Sequence, residues 1–292
     1  MRALTTAVSC WGWLLVVGPA YTSDWPTYKH DYHRIGRTTD ELRPPLTLRW
    51  MYEAPQAPRR AWPGPDGRTI EDLHLRHRVR FDEVFQTAVV DGKVYFGSSV
   101  DNHVYCFQAN TGQLIWSFPT GAPVRLTPTV VHGKVFVGSD DGFVYCLDAG
   151  TGMPAWKLRA GPRDERILAR GRMSSRWPVR TGVLVDDGVA YFGAGTFPHE
   201  NVYLSAVHAN TAEILWKNDT ISQRDAGRND LTPQGYLLAS DTTLFVPSGR
   251  SLPAAFDRRT GQLAHKRIAA ERQTGGSEAL LTDDKIYSVG EH

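Results

Sequence analysis

The chain has 292 residues, of which 41% are hydrophobic and 11% aromatic, enough to build a core and to exclude an intrinsically disordered chain. Its 33 lysine and arginine residues nearly balance 31 aspartate and glutamate residues, so the formal net charge is only +2. This net charge is too weak to indicate nucleic acid or an anionic membrane as a general partner of the whole surface, and we predict no nucleic-acid partner.

Residues 1–20 have the pattern of a secretory signal peptide. Arg2 supplies the positive start, an apolar run extends from Trp11 to Val17, and Gly18-Pro19-Ala20 offers small residues for cleavage. The apolar run is too short to span a bilayer, and no other stretch approaches that length. We therefore predict an exported protein, periplasmic or extracellular, that does not span the membrane.

After an extended segment at residues 21–45, a unit of about 40 residues recurs through residues 46–292. Each copy has an apolar strand, such as Val94-Tyr95-Phe96-Gly97, and a later turn, such as Asn110-Thr111-Gly112. Self-similarity at this period predicts a stacked or radial array of units. The predicted copies cover residues 85–121, 126–161, 179–220 and 230–269, with a partial copy at 275–292.

Alternating apolar residues and turn residues place four short strands in each copy. In the first copy the predicted strands are Thr87–Val90, Lys93–Ser98, His103–Gln108 and Leu114–Phe118. In the second copy they are Thr127–Val131, Lys134–Ser139, Phe143–Asp148 and Pro154–Leu158. Four antiparallel strands per unit are typical of a propeller blade. The predicted fold is all-β, a partial, open β-propeller of about four complete blades and a truncated one.

Two sequence positions within the repeat are predicted to hold buried side chains. In three copies a tryptophan stands five residues after the turn threonine, and Trp50 fits the same position ahead of the first copy. These repeat tryptophans are Trp50, Trp116, Trp156 and Trp216. One indole per blade predicts packing between neighbouring blades rather than catalysis. Five residues before the threonine the slot holds Cys106, Cys146, Ala206 and Ala255. This slot predicts a small buried residue, and two free thiols rather than a disulfide.

One motif recurs in the copies and has three parts. It begins with a strand that ends in Tyr-Phe-Gly or Phe-Val-Gly, continues with a stretch such as Val144-Tyr145-Cys146-Leu147-Asp148-Ala149 before a Thr-Gly turn, and closes on the tryptophan. This motif resembles the pyrroloquinoline-quinone (PQQ) repeat of the quinoprotein alcohol dehydrogenase-like propellers. The segment from Asp24 to Asp31 is similar to the start of exported proteins that carry the repeat. The resemblance implies the propeller fold, whereas many relatives with this repeat bind no quinone.

For the dehydrogenases of that family, the resemblance implies a calcium ion, a base aspartate and often a disulfide between adjacent cysteines at the quinone. The chain has no Cys-Cys dipeptide, and no spacing of its carboxylates singles out a calcium site. We predict no metal ligands, and the catalytic residues are unknown. PQQ with calcium, and with it a quinoprotein alcohol or sugar dehydrogenase, stays open as an alternative.

The long insertions all lie on one predicted face, which we call the loop face. They are the connections between the fourth strand of one copy and the first strand of the next, at residues 53–84, 159–179 and 217–230, and the turn at residues 194–201. In an up-and-down blade, the connections after the fourth strand and after the second strand emerge on the same side. Loops on a rigid scaffold carry recognition, so the loop face is the candidate functional face.

The loop face is locally basic, because residues 159–180 contain seven arginines against two acidic residues. Guanidinium groups match carboxylates and phosphates in geometry and charge. The predicted ligand-binding residues are Arg163, Arg172, Arg176, Trp177, Arg180 and Arg250. They predict a binding or scaffold module for an anionic small molecule, a polysaccharide or a partner protein.

Two other interpretations of the loop face stay open. The arginines can pair with acidic residues elsewhere on the loops and pin those loops to the propeller. Alternatively, the chain is similar to the outer-membrane assembly propeller, a scaffold that binds a partner by adding a strand at a blade edge.

Overall fold

The computed structural model describes residues 23–61, 69–70, 73–74, 82–169, 171–221, 231–248, 252–265, 276–283 and 285–288. The predicted signal peptide lies outside these ranges. Within them the chain is antiparallel β structure with one 3-10 turn at Pro198–Glu200, which confirms the all-β prediction. In these same ranges, no helix is long and apolar enough to cross a membrane.

The first two blades have the strands that the sequence predicts, within two residues at each end. A short hairpin of β1 (Thr69–Ile70) and β2 (Leu73–His74) precedes them. The first blade consists of β3 (Thr87–Val90), β4 (Lys93–Gly97), β5 (His103–Gln108) and β6 (Leu114–Pro119). The second blade consists of β7 (Thr129–Val131), β8 (Lys134–Gly138), β9 (Phe143–Asp148) and β10 (Pro154–Arg159).

A second hairpin separates these blades from the third, and consists of β11 (Arg166–Ala169) and β12 (Arg172–Ser175). The third blade follows β13 (Thr181–Gly182) and consists of β14 (Leu184–Asp186), β15 (Val189–Ala194), β16 (Tyr203–His208) and β17 (Ile214–Asn218). The fourth blade follows β18 (Gly235–Tyr236) and consists of β19 (Leu238–Ala239), β20 (Thr243–Val246), β21 (Ala254–Asp257) and β22 (Leu263–His265). The last two strands, β23 (Ala279–Leu281) and β24 (Ile286–Ser288), pair with each other.

The inner strands of successive blades lie side by side around a common centre. Strands β13 and β18 pair in parallel, with Thr181 opposite Gly235, and so join the entrances to the third and fourth blades. Strand β3 contacts β7, β7 contacts β14, and β19 contacts β23. In each complete blade the strands pair in sequence order. The blades therefore fan around one axis, which confirms the partial propeller, while the exact boundaries assigned to the copies stay predictions.

Each repeat tryptophan docks into the Thr-Gly turn of the next blade. The indole Nε1 atoms of Trp50, Trp116, Trp156 and Trp216 donate to the carbonyl oxygens of Ala109, Ala149, Ala209 and Arg258, at 2.7, 3.1, 2.8 and 3.1 Å. The turn glycine makes room for the ring, since a Cβ on Gly152 would lie 2.7 Å from Trp116. In the third blade, Ala212 occupies the glycine position with a φ of 61°. These tryptophans hold neighbouring blades together.

The hydrophobic core lies between blades rather than within one. Between the first and second blades it joins Tyr95 and Trp116 to Val137 and Leu147. Cys106 and Cys146 are free and fully buried, which confirms the prediction of two free thiols. Burial raises the pKa of both thiols to about 11, because it disfavours the thiolate.

The N-terminal segment 24–36 crosses the inner strands at the end opposite the loop face. Trp25 exchanges two backbone hydrogen bonds with Val89 of the first blade, at 2.6 and 2.8 Å. The carbonyl oxygen of Pro26 accepts from Val130 of the second blade at 2.8 Å. Farther along, the carbonyl oxygens of Tyr32 and His33 accept from Ala239 and Leu281, at 3.3 and 2.8 Å. One short segment thus joins the first, second and fourth blades and the final strand pair.

The same segment inserts Arg34 into the centre, where the side chain is only 1% exposed. Its Nε donates to the carbonyl oxygen of Leu237 at 3.1 Å, and its Nη1 donates to Thr27 Oγ1 and to the carbonyl oxygen of Tyr28, at 3.1 and 2.9 Å. Burial lowers the pKa of Arg34 to about 10. Tyr28 stacks on Tyr236 with 3.7 Å between ring centroids. The segment therefore closes the centre of the propeller at the end opposite the loop face.

Candidate functional site

Both kinds of long connection lie on one face, as the sequence predicts. Arg172, in the connection between the second and third blades, donates to the carbonyl oxygens of Ser99 and Val100 in the β4–β5 turn, at 2.7 Å each. Arg176, in the same connection, reaches Glu200 in the β15–β16 turn, and Arg176 Nη2 lies 2.8 Å from Glu200 Oε1. The loop face therefore gathers these segments above the inner strands.

A cavity of about 640 Å³ opens on the loop face, and we call it the mouth pocket. Its guanidinium groups come from separate parts of the chain, namely Arg59, Arg60, Arg125, Arg172 and Arg180. Its apolar wall includes Pro58, Ile167, Leu168, Met173, Pro178 and Phe197. A cavity of this size, with apolar walls and a few converging charged groups, has the dimensions and chemistry of a small-molecule site.

A buried chain of alternating charges holds the mouth pocket together. Asp140, 2% exposed, accepts from Arg125 Nε at 2.7 Å and from Arg180 Nε and Nη2 at 2.8 and 3.0 Å. Arg125 Nη1 also donates to Asp82 Oδ2 at 2.6 Å. The three pairs join the entrances of the second and third blades to residue 82, which precedes the first blade. We call these four residues the buried network.

The two carboxylates of the buried network have pKa values shifted in opposite directions. Burial alone would raise the pKa of Asp140, but Arg180 and Arg125 outweigh it and hold that pKa below its ordinary value. Burial raises the pKa of Asp82, because its partner Arg125 compensates only part of the desolvation. Asp140 is therefore the carboxylate on which the charge balance of the network depends.

Sequence reasoning missed most of this network. Among its four residues, only Arg180 belongs to the ligand-binding set that the sequence predicts. One signal was available, because Arg125 and Arg180 stand at the entrances to the second and third blades, each directly after a valine. An internal alignment would have shown paired arginines at successive blade entrances.

The buried network also anchors the loop before the first blade. The carbonyl oxygen of Arg59 accepts from Arg125 Nη1 at 2.6 Å, and the backbone N–H of Ala61 donates to Asp82 Oδ2 at 2.7 Å. The backbone N–H of Arg59 donates to Ser99 Oγ at 3.0 Å. The backbone that carries the Arg59 side chain is therefore held in place before any ligand arrives.

Two arginines of the mouth pocket keep uncompensated charge. In the described part of the chain, neither Arg59 nor Arg172 forms an ion pair with a carboxylate: Arg172 binds backbone carbonyl groups, and Arg59 binds the side chain of Gln56 at 3.1 Å. Burial lowers the pKa of Arg172, and the charges of Arg59 and Arg125 lower it further. A positive group destabilised by positive neighbours marks a site that favours an anion.

The other predicted residues form a separate outer cluster. Arg163 pairs with Glu165 at 2.7 Å, and Arg176 pairs with both Glu165 and Glu200. Trp177 is 4% exposed, and its Nε1 donates to the carbonyl oxygen of Glu200 at 2.8 Å. The outer cluster lines its own cavity of about 310 Å³. In the outer cluster the arginines pair with acidic residues of the loops, as the loop-pinning interpretation predicts.

The structure therefore divides the predicted set. Arg172 and Arg180 lie in the mouth pocket, whereas Arg163, Arg176 and Trp177 belong to the outer cluster. Arg250 lies outside the described residues. Within the mouth pocket, Arg180 is already neutralised by Asp140, and Arg172 is the predicted residue whose charge remains for a ligand.

The guanidinium groups of the mouth pocket suit an anion, such as a carboxylate of a quinone, better than they suit a metal cation. The described residues contain no group of three or more His, Cys, Asp or Glu side chains placed to hold a metal ion. Asp82 and Asp140 are each engaged by guanidinium groups. The described part of the mouth pocket thus does not fit calcium.

Comparisons with known proteins agree with this architecture. A family model for PQQ-type repeats, described as outer membrane protein assembly factor BamB, matches residues 64–176. The quinohemoprotein alcohol dehydrogenase from Comamonas testosteroni is 17% identical, with a TM-score of 0.53 over 91% of this chain and 45% of that protein. The protein is a partial β-propeller, and part of it matches the model of PQQ-type repeats.

Other solved structures are similar to parts of this chain. A quinohemoprotein alcohol dehydrogenase from Pseudomonas putida HK5 is 18% identical, with a TM-score of 0.49 over 70% of this chain and 38% of its own. BamB from Moraxella catarrhalis is 16% identical, with a TM-score of 0.47 over 68% of this chain and 57% of its own. The chain thus spans well under two thirds of each protein's length. No curated protein matches the sequence significantly.

Proposed function

We propose that this PQQ-repeat propeller is a binding and scaffold module whose mouth pocket takes an anionic ligand. The observation that carries the proposal is the pair Arg59 and Arg172, which line one cavity and have no carboxylate partner in the described part of the chain. Arg125 of the buried network holds the backbone of Arg59, and the carbonyl oxygen of Asp140 accepts from the backbone N–H of Ser175 at 2.7 Å. Because both segments are anchored in this way, binding requires little ordering of the protein.

The ligand class follows from the groups that are present. Guanidinium groups recognise carboxylate, sulfate and phosphate groups by charge and by paired hydrogen bonds. A small organic anion fits a cavity of about 640 Å³, and an anionic polysaccharide could place one charged unit there.

The family match favours a second candidate, a scaffold for a partner protein. The matching model is described as an outer-membrane assembly factor, and residues 64–176 include the β11–β12 hairpin. In this candidate the hairpin and the surrounding arginines contact an acidic surface of the partner. Both candidates place the protein outside the cytoplasm. If the signal peptide is removed after Ala20, mass spectrometry of the secreted form should show a mature N-terminus at Tyr21.

Retention on a sulfated matrix tests the proposal with a matched pair of variants. Arg172→Ala and Arg176→Ala remove the same charge, the first from the mouth pocket and the second from the outer cluster. We expect Arg172→Ala to elute at clearly lower salt and Arg176→Ala to elute near the wild type. Equal shifts would indicate a general charge effect, and unchanged elution of both would leave loop pinning as the role of these residues.

A second measurement separates binding from quinone chemistry. With PQQ and calcium added, we expect no dye-linked oxidation of alcohols or sugars. Appreciable turnover, lost in a variant of Asp82 or Asp140 that still folds, would overturn the binding-module proposal in favour of a dehydrogenase.

A further inference from the structure

The β11–β12 hairpin carries an exposed apolar pair at the mouth pocket. Leu168 and Met173 lie directly opposite each other in the hairpin register, and they are 74% and 49% exposed. Both residues line the mouth pocket. An isolated exposed apolar residue is ordinary, but a cross-strand pair inside a charged cavity adds a contiguous apolar surface to it.

The hairpin also carries the charge of the pocket. Arg172 pairs with Ala169 in the register, and Ile167 pairs with Ser174, so these side chains share one face of the hairpin. Leu168 and Met173 occupy the other face. Because residues of both faces line the mouth pocket, the hairpin projects into the cavity and presents guanidinium and apolar groups within it.

The geometry points to an amphiphilic anion as the ligand, a molecule with a charged head and a hydrocarbon tail. Resting on the proposed function, this inference places the head against Arg172 and Arg59 and the tail along Leu168 and Met173. A small inorganic anion would leave the apolar wall in water. An uncharged hydrocarbon would leave the guanidinium groups without a partner.

Alkyl sulfates of different chain length test this inference on the full chain by titration calorimetry. A fully buried methylene improves affinity roughly fourfold. Octyl sulfate has six more methylenes than ethyl sulfate, and burial of about half of that tail predicts a gain of roughly 50-fold. Octyl glucoside, which has the same tail and no charge, should bind far more weakly than octyl sulfate.

Substitutions separate the head site from the tail site. The double variant Leu168→Ser with Met173→Ser should lose most of the gain from the octyl chain, measured as the ratio of its own affinities for octyl and ethyl sulfate. Met153→Ser, at an exposed methionine in the turn before β10, is the matched control and should keep that gain. Arg172→Ala should weaken binding of both sulfates.

Each outcome decides a different point. If both sulfates bind equally and depend on Arg172, the tail site is refuted and the proposed function stands. If the octyl gain persists in the double variant, the tail binds elsewhere and the inference is refuted. If neither sulfate binds, the proposed function itself is wrong.

Discussion

Replacement of Asp140 by asparagine should lower the free energy of unfolding by about 3 to 5 kcal/mol, the cost of breaking a buried ion pair from one side. The carboxylate accepts three hydrogen bonds from Arg125 and Arg180, and the side chains of all three residues are less than a tenth exposed. Asparagine keeps the volume but removes the charge. Two buried guanidinium groups would then share Asp82 as their remaining carboxylate within the buried network.

Urea unfolding followed by tryptophan fluorescence measures this loss. Asp164→Asn is the matched control, because Asp164 lies 3.6 Å from Arg166 and both side chains are 44% exposed. A surface pair of this kind should change the unfolding free energy by less than about 1 kcal/mol. A similarly small change for Asp140→Asn would refute the claim that the buried network organises the loop face.

The pH dependence of the same measurement follows from the direction of the pKa shift. The pKa of Asp140 is lower in the folded protein than in the unfolded chain, where it is about 3.9. Its stabilising contribution is therefore present above that unfolded value and is lost as the pH falls through the folded pKa. Asp82 has a raised pKa and protonates first. Wild type should lose stability below about pH 4 more steeply than Asp140→Asn.

Three further predictions concern the blades. Trp116→Phe removes the hydrogen bond to Ala149 and part of the packing, and should lower the unfolding free energy by about 1 to 2 kcal/mol in a urea titration; no change would contradict the docking role. Ala212→Gly relieves a left-handed backbone and should raise the melting temperature, with a gain of up to about 1 kcal/mol; a loss would show that the alanine methyl packs usefully. Cys106 and Cys146, with pKa values raised to about 11 by burial, should react with a thiol reagent at pH 8 only after unfolding, and rapid reaction of the native protein would contradict their burial.

The fold was predictable because its signals are local. Alternation over a few residues and a turn such as Asn110-Thr111-Gly112 identify each strand and hairpin, and their recurrence identifies the blade. The tryptophan slot was predictable for the same reason, since Trp116 and Trp156 stand at a constant distance from the turn. What each indole touches required the structure, because the acceptor belongs to the following blade.

The site was predictable only in part because its contacts are distant in sequence. The basic stretch 159–180 indicates the right face, yet it does not show that Arg176 is neutralised by Glu200 while Arg172 is held by carbonyl groups of the first blade. Asp140 has the sequence context of a turn residue, and its burial depends on arginines from two blade entrances. Charge counting along the chain cannot distinguish a paired guanidinium group from one left for a ligand.

The stitching of blades by residues 24–36 has a consequence for biogenesis. The acceptor for Arg34 Nε is a carbonyl group 203 positions later in the chain. At a synthesis rate of about 5 to 20 residues per second, roughly 10 to 40 s separate the appearance of the two groups at the ribosome. The early blades can pair their strands during that interval, but the centre cannot be sealed. A holding chaperone that keeps this leading stretch from collapsing prematurely should therefore raise the yield of correctly assembled molecules.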